Sequence, residues 1–296
     1  MLNLLNIISN HIAKRNLSFD SDSLINLLDI GCSSFIPPHF VKYARVINLI
    51  GCDPDLIGIK KLRKKTYIKN FNSTLFLNIG ASENSEKSYI EIANKRTGSK
   101  ITKKKINNKT LDINLIKTSI LQKKFNKGYA NLIKIDAEGH ELKVIKGMNL
   151  RSNSLLGVEV ECTLDEGNNN LSDIISLFEK NNFFLASIRY HNFQTFNSSN
   201  FKNPFLKFFY KLLLKVPIIK NFNYQWTDLS GKNCFSNNKS FLNQIELLFL
   251  KKKGFINTKH FKKYKNILLI YGFARYFENL KASKLNKFIL NNFPSR

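Results

Sequence analysis

The stretch Asn131–Met148, NLIKIDAEGHELKVIKGM, restricts the folds open to this 296-residue chain more than any other segment. It opens with a short apolar run, passes through a cluster of charged residues and ends in apolar residues spaced three apart. This order predicts a buried strand, a sharp acidic turn and the start of a helix. Acidic residues that follow a strand in this way are expected at the carboxyl edge of an open α/β sheet, where such sheets bind their ligands.

Apolar runs and helical patterns alternate on both sides of this stretch. Further strands are predicted over 23–31, 46–52, 75–79, 155–162 and 183–188, with a strand pair over 89–92 and 100–106, and helices are predicted over 56–65 and 171–181. In the strand over 155–162, apolar residues alternate with Glu159 and Glu161, so we expect one polar face. The alternation predicts a doubly wound, Rossmann-like α/β sheet over residues 22–190.

The ends of the first two predicted strands are typical of a nucleoside-binding site. The first strand ends in Asp29-Ile30-Gly31, and Asp53 follows the second strand 24 residues after Asp29. A carboxylate at this point accepts hydrogen bonds from both ribose hydroxyls. The loop lacks the further glycines that NAD requires, because a pyrophosphate needs close approach to the backbone. A strand that ends in Asp-x-Gly also occurs in α/β proteins that bind no cofactor. The candidate cofactor-binding residues here are Asp29, Gly31, Cys32, Ser33, Asp53 and Pro54.

The segment IKIDAEGHELKVIKG closely resembles the signature of the FkbM-type methyltransferases, a family of S-adenosylmethionine-dependent O-methyltransferases. The resemblance covers about residues 23–190 and implies a class I methyltransferase sheet. It also implies S-adenosylmethionine as the methyl donor, a molecule without a pyrophosphate. In the cofactor loop, Ser33 and Ser34 stand where the family usually has a small residue and another glycine.

Two further segments extend the resemblance. Gly80 and Ala81 follow the third predicted strand, and the resemblance implies that the adenine pocket lies near these small residues. Thr110-Leu111-Asp112 is similar to a Thr-Leu-Asp of the family, although Asp112 equally fits the cap of a following helix.

Methyl transfer to oxygen needs a positioned acceptor and a group that helps to remove the hydroxyl proton. Asp136 is the first candidate for this catalytic group, because it follows the strand at the cofactor crevice, and it is also a cofactor-binding candidate. Lys134 is expected to neutralise a carboxylate or to fix Asp136. Glu138 and Glu141 are further catalytic candidates, although Glu141 equally suits the positive end of a helix.

No metal site is predicted. The four cysteines lie far apart without a CxxC pair, so they indicate neither zinc ligation nor a disulfide framework, and they fit a reducing cytoplasm. His140-Glu141 lacks the second histidine of a HExxH site. Asp136, Glu138 and Glu141 are of the ligand type that magnesium prefers, but a magnesium requirement is not expected.

The net charge of +26 is the main argument for a different function. Such a charge attracts nucleic acid, anionic lipid or an acidic substrate. Most of the excess is lysine, and asparagine, isoleucine and phenylalanine are abundant too, which is typical of an AT-rich genome. The alternative hypothesis is therefore an RNA or other nucleic-acid methyltransferase, or a binding protein that uses its basic surface.

The terminal regions are predicted to be helical. A helix is predicted over 1–21, and a helical C-terminal region over 191–296, with helices at 205–219, 241–253, 260–280 and 282–292. Lysines share one face of the segment 205–219, which predicts a helix packed on the main domain or in peripheral contact with a membrane. No apolar run is long enough for a transmembrane span.

Together these observations predict an O-methyltransferase that acts on a hydroxyl of a sugar, a glycan or another small molecule. We expect it in the cytoplasm, in contact with the inner membrane face at most. A nucleic-acid partner is not expected.

Overall fold

The computed structural model is built around a mixed seven-stranded sheet. It describes residues 19–33, 35–91, 100–102, 105, 110–126, 128–163, 171–191 and 244–271. The strands are β1 (Ile25–Ile30), β2 (Ile47–Cys52), β3 (Ser73–Leu77), β4 (Gly80–Ser82), β5 (Glu86–Glu91), β6 (Lys100–Thr102), β7 (Thr110–Lys117), β8 (Leu132–Ile135), β9 (Gly157–Thr163), β10 (Phe183–His191) and β11 (Gln244–Lys251). The helices are α1 (Pro38–Lys42), α2 (Leu56–Arg63), α3 (Thr118–Leu121), α4 (Glu141–Lys146), α5 (Leu171–Lys180) and α6 (Phe261–Ile270), with short 3₁₀ turns at Ala44–Val46, Thr66–Asn70, Lys253–Phe255 and Thr258–His260.

The order of the strands places a topological switch point at the centre of the main sheet. The order is β10-β11-β9-β8-β1-β2-β3, with β3, β2, β1, β8 and β9 parallel and β11 antiparallel to both of its neighbours. The chain winds outward from β1 to β3 and then returns to β8 on the other side of β1. Ligands of open α/β sheets bind at the carboxyl ends of the strands that flank such a point, which here are β1 and β8.

Helices cover both faces of this sheet, because the central parallel strands are apolar on both sides. On the first face, Phe40 of α1, Ile59 of α2 and Ile267 of α6 pack against the odd-numbered residues of β1. On the second face, Leu121 of α3, Val144 of α4 and Phe178 of α5 pack against the even-numbered residues of β1. Two buried layers on a mostly parallel sheet confirm the predicted doubly wound α/β class.

A second sheet of four strands lies beside the second face, in the order β4-β7-β5-β6. Its small core consists of Ile90, Ile113 and Leu115, with Ile101 packed against them. The predicted strand pair of residues 89–92 and 100–106 is confirmed as β5 and β6. Asp112 does not cap a helix, because it lies inside β7 opposite Tyr89.

The predicted helix over 241–253 is wrong. Gln244–Lys251 of this segment form β11, which lies between β9 and β10 in the main sheet. The segment that was predicted as a helix over 260–280 is partly described and contains α6. The predicted helices over 205–219 and 282–292, and most of the one over 1–21, lie outside the described residues. Within the described part of the chain, no helix is long and apolar enough to cross a membrane.

Candidate functional site

Three charged residues lie side by side across the centre of the main sheet. Asp29 of β1 pairs in register with Lys134 of β8, which pairs with Glu159 of β9. Because side chains in register point to the same face, the three face the layer formed by α1, α2 and α6. Their exposed fractions are 0%, 4% and 3%. We call Asp29, Lys134 and Glu159 the buried charge row.

Lys134 is the cation at the centre of this row. Its Nζ lies 2.9 Å from Oδ2 of Asp136 and 3.7 Å from Oδ1 of Asp29. Burial disfavours the ammonium form, but Asp29 and Asp136 outweigh this effect and raise the pKa of Lys134 above its ordinary value. Lys134 is therefore charged at neutral pH and holds the side chain of Asp136 in place.

Asp29 is the least satisfied member of the row. Neither of its carboxylate oxygens has a hydrogen-bond partner among the described residues. Burial raises the pKa of Asp29 to about 6, although the charge of Lys134 opposes the rise. Because Asp29 is fully enclosed, its carboxylate influences a ligand through Lys134 and through its charge, not by direct contact.

The turn that follows β1 passes directly over the start of the Asp136 turn. Gly31 has a φ of +83°, and a Cβ at this position would overlap the carbonyl oxygen of Asp136. The Asp136 N–H donates to the carbonyl oxygen of Ile30 at 3.0 Å. Only glycine fits here, since it tolerates the left-handed backbone and leaves room for the second strand end.

Cys32 and Ser33 continue this turn in different roles. The Cys32 side chain is 1% exposed and packs in the core, and burial raises the pKa of its thiol well above its ordinary value. The Ser33 backbone N–H donates to Oδ2 of Asp53 at 3.1 Å. Any contact from Cys32 to a bound molecule would therefore come from its backbone.

Asp53 joins the loops that follow β1 and β2. Besides the bond from Ser33, its Oδ1 accepts a hydrogen bond from the Asp55 N–H at 2.7 Å. Burial raises the pKa of Asp53 to about 6, although these two hydrogen bonds oppose the rise. Each carboxylate oxygen has a second lone pair, so Asp53 retains the capacity to accept from ribose hydroxyls.

Asn78, just after β3, is a residue that the sequence analysis did not identify. Its Nδ2 donates to the carbonyl oxygens of Asp53 and Pro54, at 3.1 and 2.8 Å. These bonds fix the loop that carries the Asp53 carboxylate. An isolated asparagine after a strand offers no sequence signal for this function.

Gly80 and Ala81 lie where the second sheet meets the main one. Both belong to β4 and pair with Leu115 and Ile116 of β7. Ala81 is 3% exposed and belongs to the core of the second face, and a Cβ on Gly80 would press on the side chain of Leu115. The small size of Gly80 and Ala81 is needed for packing. A flat ring bound beside them would therefore contact the backbone of β4.

The acidic turn after β8 separates the four catalytic candidates. The Asp136 side chain is 20% exposed at the carboxyl edge of the sheet. Glu138 and Gly139 have φ angles of 49° and 95°, and this pair of left-handed residues forms the sharp turn. Glu141 is 1% exposed, and its Oε1 accepts hydrogen bonds from the N–H groups of Ala137 and Gly139 at 3.1 and 3.0 Å. Glu141 thus stabilises the turn, while the Asp136 side chain remains partly exposed.

His140 connects the same turn to the second sheet. Its Nε2 lies 3.0 Å from the hydroxyl of Ser82 at the end of β4. Burial, together with the charge of Lys143, lowers the pKa of His140 to about 4. His140 is therefore neutral at physiological pH and acts as a structural link.

The pair of Glu159 and His39 was not predicted from the sequence. Glu159 was expected on a polar face of its strand, but this face is covered by α1 and is not exposed to solvent. His39 of α1 places its Nε2 at 3.2 Å from Oε2 of Glu159. Burial alone would raise the pKa of the Glu159 carboxyl, but the hydrogen bond and charge of His39 lower it below its ordinary value.

Neither of the two clefts found among the described residues coincides with the buried charge row. A cleft of about 500 Å³ lies at the amino-terminal edge of the sheet, lined by Asn26, Asn48 and Lys263 among others, and one of about 440 Å³ lies near Tyr43 and Asn70. We assign the site to the opposite edge, because the charged groups and the strand crossing occur there. No group of three metal-ligating side chains is found among the described residues.

The chain matches one protein-family model. Residues 48–185 match the methyltransferase FkbM domain. A search of curated protein sequences finds no match.

Several solved structures match the chain at low similarity. A putative S-adenosylmethionine-dependent methyltransferase from Listeria monocytogenes is 9% identical, with a TM-score of 0.37, over 83% of this chain and 98% of that one. A TehB-like methyltransferase from Corynebacterium glutamicum is 11% identical, with a TM-score of 0.34, over 82% of this chain and 87% of that one. Magnesium protoporphyrin IX methyltransferase from Synechocystis, with bound S-adenosylmethionine, is 10% identical, with a TM-score of 0.34, over 66% and 74%. Similarity this low carries no information on the activity of this chain.

Proposed function

The chain carries a methyltransferase FkbM domain over residues 48–185, and on this premise we propose that it transfers the methyl group of S-adenosylmethionine to a hydroxyl oxygen of a saccharide or another small molecule. The observation that carries the proposal is the position of Asp53 and Asp136. They lie at the carboxyl ends of β2 and β8, on either side of the Gly31 turn at the switch point. An open α/β sheet binds an extended nucleoside ligand in this position.

The residues at this edge fit the methyl donor. Asp53 can accept hydrogen bonds from two ribose hydroxyls in addition to its backbone donors. Gly31 leaves the turn without a side chain between Asp53 and Asp136, so an extended molecule can pass between them. The buried charge row and Asp136 together contain three carboxylates, those of Asp29, Asp136 and Glu159, and one lysine cation, Lys134. This excess of negative charge favours a positively charged ligand group nearby.

Each residue of the site then has a defined task. The bound donor supplies a methyl group that is open to attack by an oxygen nucleophile. Asp136 accepts a hydrogen bond from the acceptor hydroxyl and orients its oxygen. Lys134 fixes the Asp136 carboxylate in one rotamer, because its Nζ is 2.9 Å away. The turn held by Glu141 keeps Asp136 at the edge of the sheet.

We expect Asp53→Ala to lower the affinity for S-adenosylmethionine at least about 100-fold, because one good bidentate carboxylate contact contributes about 2–3 kcal/mol. Titration calorimetry on the intact chain measures this effect. Asp55→Ala is the matched control, since the Asp55 side chain caps α2 by accepting from the Ile57 N–H at 3.0 Å. Equal affinities of wild type and Asp53→Ala would contradict the assigned donor site.

We expect Asp136→Asn to lower turnover about 100-fold and to change donor affinity by less than about threefold, because general base and orienting groups act on the transition state. Release of tritium-labelled product from S-adenosylmethionine measures turnover, with a panel of free sugars and nucleotide sugars as acceptors. EDTA should leave the rate within about twofold. Normal turnover of Asp136→Asn would exclude its catalytic role.

The same assay tests the alternative acceptor class. The net charge of +26 favours RNA or another polyanion as a substrate. Labelling of total RNA, with an affinity that falls steeply with salt, would replace the saccharide proposal. Labelling of sugars only would support it.

A further inference from the structure

The pair of His39 and Glu159 lies next to Lys134, two residues below the Asp136 end of β8 on which the proposed methyl transfer depends. His39 is the second residue of α1, which begins seven residues after Gly31. Its side chain is 21% exposed, and the Glu159 side chain is 3% exposed. The pair therefore consists of a buried carboxylate that holds an imidazole at a solvent-accessible position.

The order of the strands places this pair on the acceptor side. Asp53 follows β2 and Asp136 follows β8, while Glu159 of β9 is in register with Lys134, two residues before Asp136. Neighbouring strands are about 4.8 Å apart. If the ribose lies at Asp53 and the donor extends toward Asp136, the next strand is the one under His39. An acceptor that approaches the donor from this side meets the imidazole.

The contact with Lys134 suits Asp136 to orienting the acceptor. Its Oδ2 already accepts the Lys134 ammonium at 2.9 Å. Imidazole is the side chain that takes up and releases protons near neutral pH. A buried carboxylate on one ring nitrogen fixes the ring and stabilises its protonated form. In His39 the bound nitrogen is Nε2, so Nδ1 is the one that can face an acceptor.

We propose that His39 is the general base of the methyl transfer and that Glu159 is its positioning residue, an inference that rests on the proposed function. The acceptor oxygen attacks the methyl carbon, so the new O–C bond forms as the C–S bond breaks and its electron pair stays on sulfur. The hydroxyl proton goes to Nδ1 of His39 and later to solvent. The positive charge thus moves from the sulfonium to the imidazole, where Glu159 balances it.

Other charged or titratable groups contact the imidazole or lie on the same face of the sheet, and they enter the interpretation of any pH profile. Each belongs to a different element: β9, β8, β1, the turn after β8 and the end of α6. At the end of α6, the ring centroid of Tyr271 is 5.4 Å from that of His39. They are Glu159, Lys134, Asp29, Asp136 and Tyr271.

The experiment compares His39→Gln and Glu159→Gln in the intact chain with His260→Gln as the matched control. His260 precedes α6, whereas Tyr271, which contacts His39, follows it, so the control lies about 15 Å along the helix from Tyr271. With an acceptor from the sugar panel, His39→Gln should lower kcat about 100-fold and remove the acidic limb of the pH profile. The acceptor KM and donor affinity should stay within about threefold. Exogenous imidazole should restore the rate of His39→Ala at least about tenfold.

A second measurement needs no acceptor. In ¹⁵N-histidine spectra, adding S-adenosylmethionine should shift the ring nitrogens of His39 and leave those of His260 in place. Full activity of His39→Gln, a parallel loss of donor binding, or unmoved His39 signals at saturating donor would overturn the proposal. Failure of the wild type to bind the donor by calorimetry would instead refute the proposed function.

Discussion

Replacing Lys134 by methionine is expected to lower the free energy of unfolding by about 3–5 kcal/mol, because the substitution leaves buried carboxylates without their cation. Lys134 is 4% exposed, lies 2.9 Å from Asp136 and 3.7 Å from Asp29, and pairs in register with Glu159. Methionine has nearly the same length, so the cost comes from charge and not from a cavity.

Urea unfolding followed by circular dichroism measures this change. The control is Lys143→Met on the exposed side of α4, which should change stability by less than about 0.5 kcal/mol. A Lys134→Met variant as stable as this control would show that the buried charge row contributes nothing to folding.

The pH dependence adds a second test of the same substitution. In the wild type the pKa of Asp29 is about 6, against an ordinary value of 3.8, so the folded state binds the proton more tightly than the unfolded state. Its contribution to stability is therefore lost as the pH rises from about 4 to about 6. Removing Lys134 removes a charge that lowers this pKa, so the loss should continue above pH 6. The difference between variant and wild type should be smallest near pH 5 and largest near pH 8; a constant difference would contradict this account.

Gly31→Ala is expected to lower the free energy of unfolding by about 3 kcal/mol. A residue with a Cβ costs about 1–2 kcal/mol in the left-handed region, and Gly31 has a φ of +83°. The new Cβ would also overlap the carbonyl oxygen of Asp136, and the backbone shift that relieves this overlap costs about 1–3 kcal/mol. Because that shift moves Asp136 relative to Asp53, donor affinity should fall as well.

Gly128→Ala separates the two causes. Gly128 has a φ of +86°, but nothing lies within 4 Å of the Cβ position. Its substitution should therefore show only the backbone cost of about 1–2 kcal/mol, with donor affinity unchanged. Equal effects of the two substitutions in urea unfolding would mean that the crossing of the Gly31 and Asp136 turns is not tight.

The centre of the fold could be predicted from the sequence, because each central strand carries its own signal. The strands β1, β2 and β8 are apolar runs that end in Asp29, Asp53 and Asp136, and parallel strands bring their carboxyl ends to one edge. Local pattern and global position agree here, so the clustering of these three residues followed without knowledge of long-range contacts.

β11 could not be predicted, because its structure depends on partners far away in sequence. The run IELLFL of Gln244–Lys251 is apolar and short, and such a run fits a buried strand or a buried helix equally well. Only pairing with β9 and β10, both more than 50 residues earlier, selects the strand.

The environment of Glu159 was predicted wrongly for a similar reason. Glutamate alternating with valine indicates that one face of the strand is exposed to solvent. No residue near Glu159 in the sequence supplies an ion-pair partner. The partners, Lys134 and His39, are 25 and 120 residues away. Buried charges are retained when paired, but register and helix position determine the pairing, and neither is visible in a local pattern.

The place of β11 in the sheet constrains how the chain folds as it leaves the ribosome. β10 joins the main sheet only through β11, and β9 is bordered by β11 on its outer side. Until residues 244–251 emerge, the half of the sheet that contains Glu159 has an unpaired apolar edge, which is prone to wrong pairing with other strands. Completion of the sheet, and with it the final position of the His39 partner, therefore waits for one of the last described segments to be translated.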